Sequence, residues 1–245
     1  MKLVTAFLAA LYSLPALASP ITYVAIGDSI TAGLAAEVSA PWHKYSWATG
    51  YGLAHPFAQT LSAESYYNVA LPGATTRMLR YQTTFSAESQ ANYVSIMAGT
   101  NDICWIGAGN IITNIKAAIR ELSAYTSVQK IFVSSIPDIR QIYNLRSNSY
   151  ICQLPKLACH DYFTGTDEYR NKTDQEILAV NRTLWILTKE YSKVVFVDIT
   201  NDTYEKSDIS ALDCFHPSSS GQQKIADKFS EAFTRSIDHG SDELN

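Results

Sequence analysis

A parallel β-sheet covered by helices on both faces is the fold class that this sequence predicts, and three observations predict it. Five short runs are almost continuously apolar: ITYVAIG (21–27), SYYNVAL (65–71), NYVSIMAG (92–99), KIFVSSIP (130–137) and KVVFVDI (193–199). Such runs suit strands buried on both faces. Segments with helical spacing lie between them, which gives the alternation of a parallel sheet. Residues able to do chemistry follow the strands directly, where open α/β sheets place their ligand sites.

The elements follow in order. After the first strand comes Gly27-Asp28-Ser29, then a helical stretch that opens at Pro56, a favoured first-turn residue. Pro72-Gly73 follows the second strand, and Gly99-Thr100-Asn101-Asp102 follows the third. The stretch from 110 places Ile111, Ile115, Ala118, Ile119 and Leu122 on one stripe. The stretch 173–191 does the same with Ile177, Val180, Leu184 and Leu187, and Thr173 or Asp174 is its expected cap. The fifth strand leads through Asp213–His216 to a last helix at about 218–235, carrying Ile225, Phe229 and Phe233.

The chain has 245 residues, 47% of them hydrophobic and 17% charged, with a formal net charge of −4. It has no basic run and no interleaving of aromatic with basic residues, which argues against a nucleic-acid partner. Residues 1–18 read as a secretory signal: Lys2, an apolar stretch, and the small-x-small sequence Ala16-Leu17-Ala18. The expected organisation is that signal followed by a single domain, 19–245, in a secreted or periplasmic protein. An exported chain with four cysteines, Cys104, Cys152, Cys159 and Cys214, is expected to form disulfides. Three pairings are open. The short segment containing Pro155 suits a local Cys152–Cys159 loop, which would leave Cys104 for Cys214. No CxxC pair occurs, and no metal site is expected.

A serine hydroxyl attacks well only when a base takes its proton. Ser29 sits where a strand gives way to a helix, a turn that also aims its N–H outward. Taken alone, Asp28-Ser29 reads more readily as a helix cap. Of the five histidines, only His216 has a carboxylate, Asp213, three residues earlier in a loop-like stretch. That spacing lets the carboxylate fix the imidazole tautomer while the other nitrogen faces the serine. Gly73 offers a backbone N–H and Asn101 a side-chain amide to a developing oxyanion. A tight turn and an Asx turn explain these two residues singly. They explain poorly why all of these groups follow successive strands.

The set GDSIT (27–31), NVALPG (68–73), GTND (99–102) and DCFH (213–216) resembles the four signature blocks of the SGNH, or GDSL, hydrolases, in family order. The resemblance implies a three-layer α/β/α, flavodoxin-like domain. It implies a catalytic triad of Ser29, Asp213 and His216, with Ser29, Gly73 and Asn101 as oxyanion donors, and no metal or organic cofactor. Asp102 is expected to organise the third loop rather than to react. GDSITAG, Ser46-Trp47, NVALPGATT, GTNDIC, PDIR with NLR, and DCFHPSSSGQ are similar to the phospholipase B-like, lysophospholipase branch. That branch has cysteines beside the third and fifth blocks, which supports pairing Cys104 with Cys214.

The expected function is hydrolysis of lipid carboxylic esters through an acyl-enzyme, by a monomer in transient contact with a membrane surface. Trp42, Tyr45, Trp47 and Tyr51 are candidates to line an acyl site or touch a lipid interface. A carbohydrate acetyl esterase or an acyltransferase on the same triad is the alternative. An inactive binding protein on the same scaffold is the alternative from another class.

Overall fold

The computed structural model describes residues 19–38, 41–146, 150 and 159–242. The expected signal segment 1–18 and Cys152 lie outside them. In chain order the main elements are β1 (Thr22–Gly27), α1 (Ser29–Ala32), α2 (Phe57–Thr60), β2 (Ser65–Asn68), α3 (Leu79–Glu88), β3 (Tyr93–Met97), α4 (Thr100–Trp105), α5 (Ile111–Ala124), β4 (Lys130–Ser134), α6 (Ile139–Arg146), α7 (His160–Thr164), α8 (Asp167–Thr188), β5 (Val194–Val197) and α9 (Ser219–Asp242). The five strands form one sheet in the order β2-β1-β3-β4-β5, with every neighbouring pair parallel.

The two-residue period of a strand sorts its side chains onto the two faces. Val24, Ile26, Val94, Ile96, Ile131 and Val133 pack in one cluster with the α5 stripe and with Ile177, Val180, Leu184 and Leu187 of α8. Tyr23, Ala25, Met97, Phe132 and Val197 pack in the other with Trp47, Phe57, Ile225 and Phe229. The near-continuous apolar runs are thus explained by two covered faces, and the architecture is the expected three-layer α/β/α sandwich. Trp47 is wholly buried and stacks on Phe229 with ring centroids 4.0 Å apart. It is a core residue, not the acyl-site residue considered above.

Two helix starts differ from expectation. α8 begins at Asp167, not near residue 173, because the Thr166 hydroxyl accepts the Tyr169 N–H at 3.2 Å and caps it there. Asp174 instead accepts from Arg140 and from the Tyr162 hydroxyl at 2.5 Å. α3 carries no clear apolar stripe, and the sequence reading passed over it. It buries Leu79 together with the polar Gln82, Thr83 and Ser86.

Candidate active site

Ser29 is the first residue of α1, so its N–H has no partner within the helix. Asp28 is the cap, with Oδ1 accepting the Ile30 N–H at 3.0 Å. Gly33, in the left-handed region at φ 80°, ends the helix after one turn. β3 passes so close that a Cβ on Gly27 would lie 2.2 Å from the Met97 carbonyl oxygen, so only glycine fits at the strand end.

Buried side chains from distant elements hold this turn. Gln82 of α3 accepts the Gly27 N–H at 2.7 Å and donates back to the Gly27 carbonyl at 2.9 Å. Gln222 of α9 donates to the Ile30 carbonyl and accepts the Trp47 N–H. Asn68 and Ser46 both donate to the Thr31 carbonyl at 2.7 Å. Sequence reasoning missed Gln82 and Gln222. A glutamine in a helix carries no local signal until its partner, here 55 or 192 positions away, is known.

His216 comes from the loop between β5 and α9. Its backbone carbonyl accepts the Ser210 N–H at 2.8 Å, and Ile209 bridges Pro217, which folds the loop back on itself. Cys214 adopts φ 62°, an uncommon conformation for a non-glycine residue. The turn lets Asp213 Oδ1 accept the N–H groups of Phe215 and His216, both at 3.1 Å. Asp213 Oδ2 lies 2.5 Å from His216 Nδ1, and His216 Nε2 lies 2.7 Å from Ser29 Oγ. Burial acts to raise the Asp213 pKa, but the His216 ring and the two N–H groups outweigh it and hold the carboxyl below its ordinary value. An ionised Asp213 requires the ring proton on Nδ1, which leaves Nε2 to accept from the serine hydroxyl.

The other two expected donors lie on the segments after β2 and β3. The loop after β2 is tied to β1 by the Leu71 N–H, which donates to the Gly27 carbonyl at 3.2 Å, and Gly73 follows at φ 78°. Asn101, on the first turn of α4, donates from Nδ2 to the Ala74 carbonyl at 2.9 Å and so joins the third loop to the second. Asp102 accepts the Thr76 N–H and hydroxyl at 2.8 and 2.7 Å, a second tie between the same loops. Burial raises its pKa against those bonds.

Asp28 is different. It is wholly buried, and Oδ2 has no hydrogen-bond partner. Burial pushes its pKa up to about 7, against the Ile30 N–H and the nearby His216 ring, with Asp102 adding to the rise.

The cysteine pairing is corrected. Cys104 at the end of α4 bonds Cys159 at the start of α7, with Cα atoms 4.7 Å apart. This excludes both Cys104–Cys214 and Cys152–Cys159. The reason is spatial: α7 and α8 pack beside α4 at the third loop, whereas chain spacing alone favoured the local loop. Cys214 is not free either.

A model of the GDSL-like lipase/acylhydrolase family matches residues 23–229. The chain belongs to this family. It is a carboxylic ester hydrolase. No curated protein matches it significantly. Among solved structures, the chain is similar to an extracellular lipase from Streptomyces rimosus, at 15% identity and a TM-score of 0.60 over 86% of this chain and 99% of that one. The psychrotrophic esterase EstA from Pseudoalteromonas sp. gives 15% identity and a TM-score of 0.56 over 89% and 98%. A carbohydrate esterase of family 3 from Talaromyces cellulolyticus gives 17% identity and a TM-score of 0.55 over 89% and 99%. These likenesses share the fold. Among the described residues, no helix of this GDSL hydrolase is long and apolar enough to cross a membrane.

Proposed function

We propose that the protein is an exported lipid esterase of the phospholipase or lysophospholipase type, acting through Ser29, His216 and Asp213. The observation that carries this reading is the unbroken hydrogen-bonded chain from the Ser29 hydroxyl through His216 to Asp213. His216 Nε2 takes the hydroxyl proton as Ser29 Oγ attacks the ester carbonyl. The N–H groups of Ser29 and Gly73 and the second amide hydrogen of Asn101 stabilise the oxyanion. When the tetrahedral intermediate collapses, His216 returns its proton to the leaving alcohol and an acyl-serine remains. Water then gives a proton to His216 as it attacks the acyl carbon, and when the second tetrahedral intermediate collapses His216 returns that proton to Ser29 Oγ and the acid leaves. No metal or organic cofactor enters these steps.

The lipid reading draws on the apolar side chains exposed on the loops that carry these groups, namely Leu71, Trp105, Ile106 and Leu212. In this reading residues 1–18 are removed on export, and a single domain of 19–245 acts as a monomer that meets lipid surfaces transiently. The test is a purified-enzyme assay of fatty-acid release from lysophosphatidylcholine beside acetate release from acetylated xylan. Fatty-acid release that disappears in Ser29→Ala is expected. Undiminished turnover by Ser29→Ala overturns the nucleophile assignment. Acetate release without fatty-acid release overturns the lipid assignment and leaves a carbohydrate acetyl esterase.

A further inference from the structure

Trp105 ends α4, the six-residue helix on which Asn101 occupies the second position. Asn101 is buried, whereas Trp105 is 58% exposed. The indole does not simply point into solvent. A Cβ placed on Gly73 would lie 3.8 and 3.9 Å from its Cη2 and Cζ3 atoms, with nothing else among its nearest neighbours. The ring therefore faces the side-chain position of Gly73, the residue whose N–H is assigned to the oxyanion. Leu71, 48% exposed, lies two residues before Gly73, and Ile106, 67% exposed, follows Trp105. The Cys104–Cys159 bond, one residue away, anchors the end of the helix that carries the ring.

We infer that Trp105 is the specificity-determining wall for the acyl chain of the substrate ester, which deepens the lipid-ester reading above and rests on it. The two ends of an ester face different sides of the serine. The leaving oxygen must reach His216 Nε2, which arrives on the loop after β5, at one edge of the sheet. The acyl group is left for the other side. Trp105, after β3, stands beside Gly73 of the loop after β2, the strand at the opposite edge from β5. A carbonyl oxygen held by the Gly73 N–H brings the first acyl carbons against the indole. An acetyl group is too short to cover the ring, whereas a longer chain lies along it and removes apolar surface from water. Trp105 takes no part in bond making or proton transfer.

The test compares wild type, Trp105→Ala and Trp105→Phe on p-nitrophenyl acetate and octanoate, with thermal melting to verify folding. Wild type is expected to hydrolyse both. Trp105→Ala is expected to lower the octanoate-to-acetate ratio of kcat/KM by about 10- to 100-fold, the loss falling on octanoate and mainly on KM. Acetate turnover should stay within about threefold of wild type, and Trp105→Phe should recover most of the ratio. An unchanged or raised ratio in Trp105→Ala overturns the inference, as does a wild type that rejects octanoate. Equal losses on the two esters overturn it too, since they place Trp105 in the reaction itself or in the fold. Failure of the nucleophile assignment reads out separately, as acetate turnover that survives Ser29→Ala.

Discussion

Two aspartates stand on either side of the Ser29–His216 pair, and they meet opposite fates. Asp213, with 17% of its side chain exposed, takes two backbone N–H groups and the His216 ring, and its pKa is lowered. Asp28 adjoins Ser29, is wholly buried, and has one N–H on one oxygen and none on the other; its pKa is raised to about 7. Burial acts in the same direction on both. What separates them is the His216 ring bonded to Asp213, helped by its two backbone N–H groups, against the complete burial of Asp28. The β5–α9 loop is folded to keep a carboxylate charged beside a histidine. The β1–α1 turn uses the same residue type as a helix cap and leaves its charge poorly supported.

The comparison breaks most sharply at Asp213. Asp213→Asn retains the side-chain shape but loses control of the tautomer, and kcat should fall about 10³- to 10⁴-fold with little change in KM. Steady-state kinetics on a short-chain p-nitrophenyl ester decides it, and a loss below tenfold removes Asp213 from the proposed mechanism. Asn101→Ala should cost about 10²- to 10³-fold in kcat, the usual effect of one oxyanion donor. If KM alone changes, Asn101 acts on ground-state binding instead.

The smallest effect concerns stability at Asp28. With its folded pKa near 7 and the unfolded one near 3.8, the folded state binds a proton between those values that the unfolded state has released. Stability from this group is present below pH 4 and falls as the pH rises through about 7. Asp28→Asn keeps the acceptor for Ile30 and cannot ionise. Its melting temperature relative to wild type should rise between pH 5 and pH 8, by several degrees at most. A difference that is flat or shrinks over that range shows that Asp28 carries no such cost. Asp213 has the opposite sign. Its lowered pKa supplies stability above the ordinary carboxylate range, lost as the pH falls through its folded value.

Much of the fold was legible because strands buried on both faces leave uninterrupted apolar runs, and the α5 stripe from Ile111 to Leu122 was read residue for residue. The site was legible for a related reason. A parallel sheet brings the residues after its strands to one edge, so Ser29, Gly73, Asn101 and the Asp213–His216 loop could be gathered before any distance was known. What stayed hidden depended on partners far along the chain. The pairing of Cys104 with Cys159 follows from how α7 packs beside α4, which spacing does not encode. Gln82 and Gln222 brace the Ser29 turn from helices remote in sequence. Trp47 and Trp105 both sit beside signature blocks, yet one is core and the other stands exposed beside Gly73; only packing separates them.

The hydrogen bond between Ser29 and His216 joins residues 187 positions apart. At about 5–20 residues per second, a ribosome makes the serine roughly 10–40 s before the histidine. Until then the nascent chain has the proposed nucleophile but not its proposed base, and Gln222, which steadies the turn from α9, arrives later still. In the proposed mechanism, synthesis order therefore acts as a safety catch: the chain cannot attack an ester until nearly all of it has been made and folded.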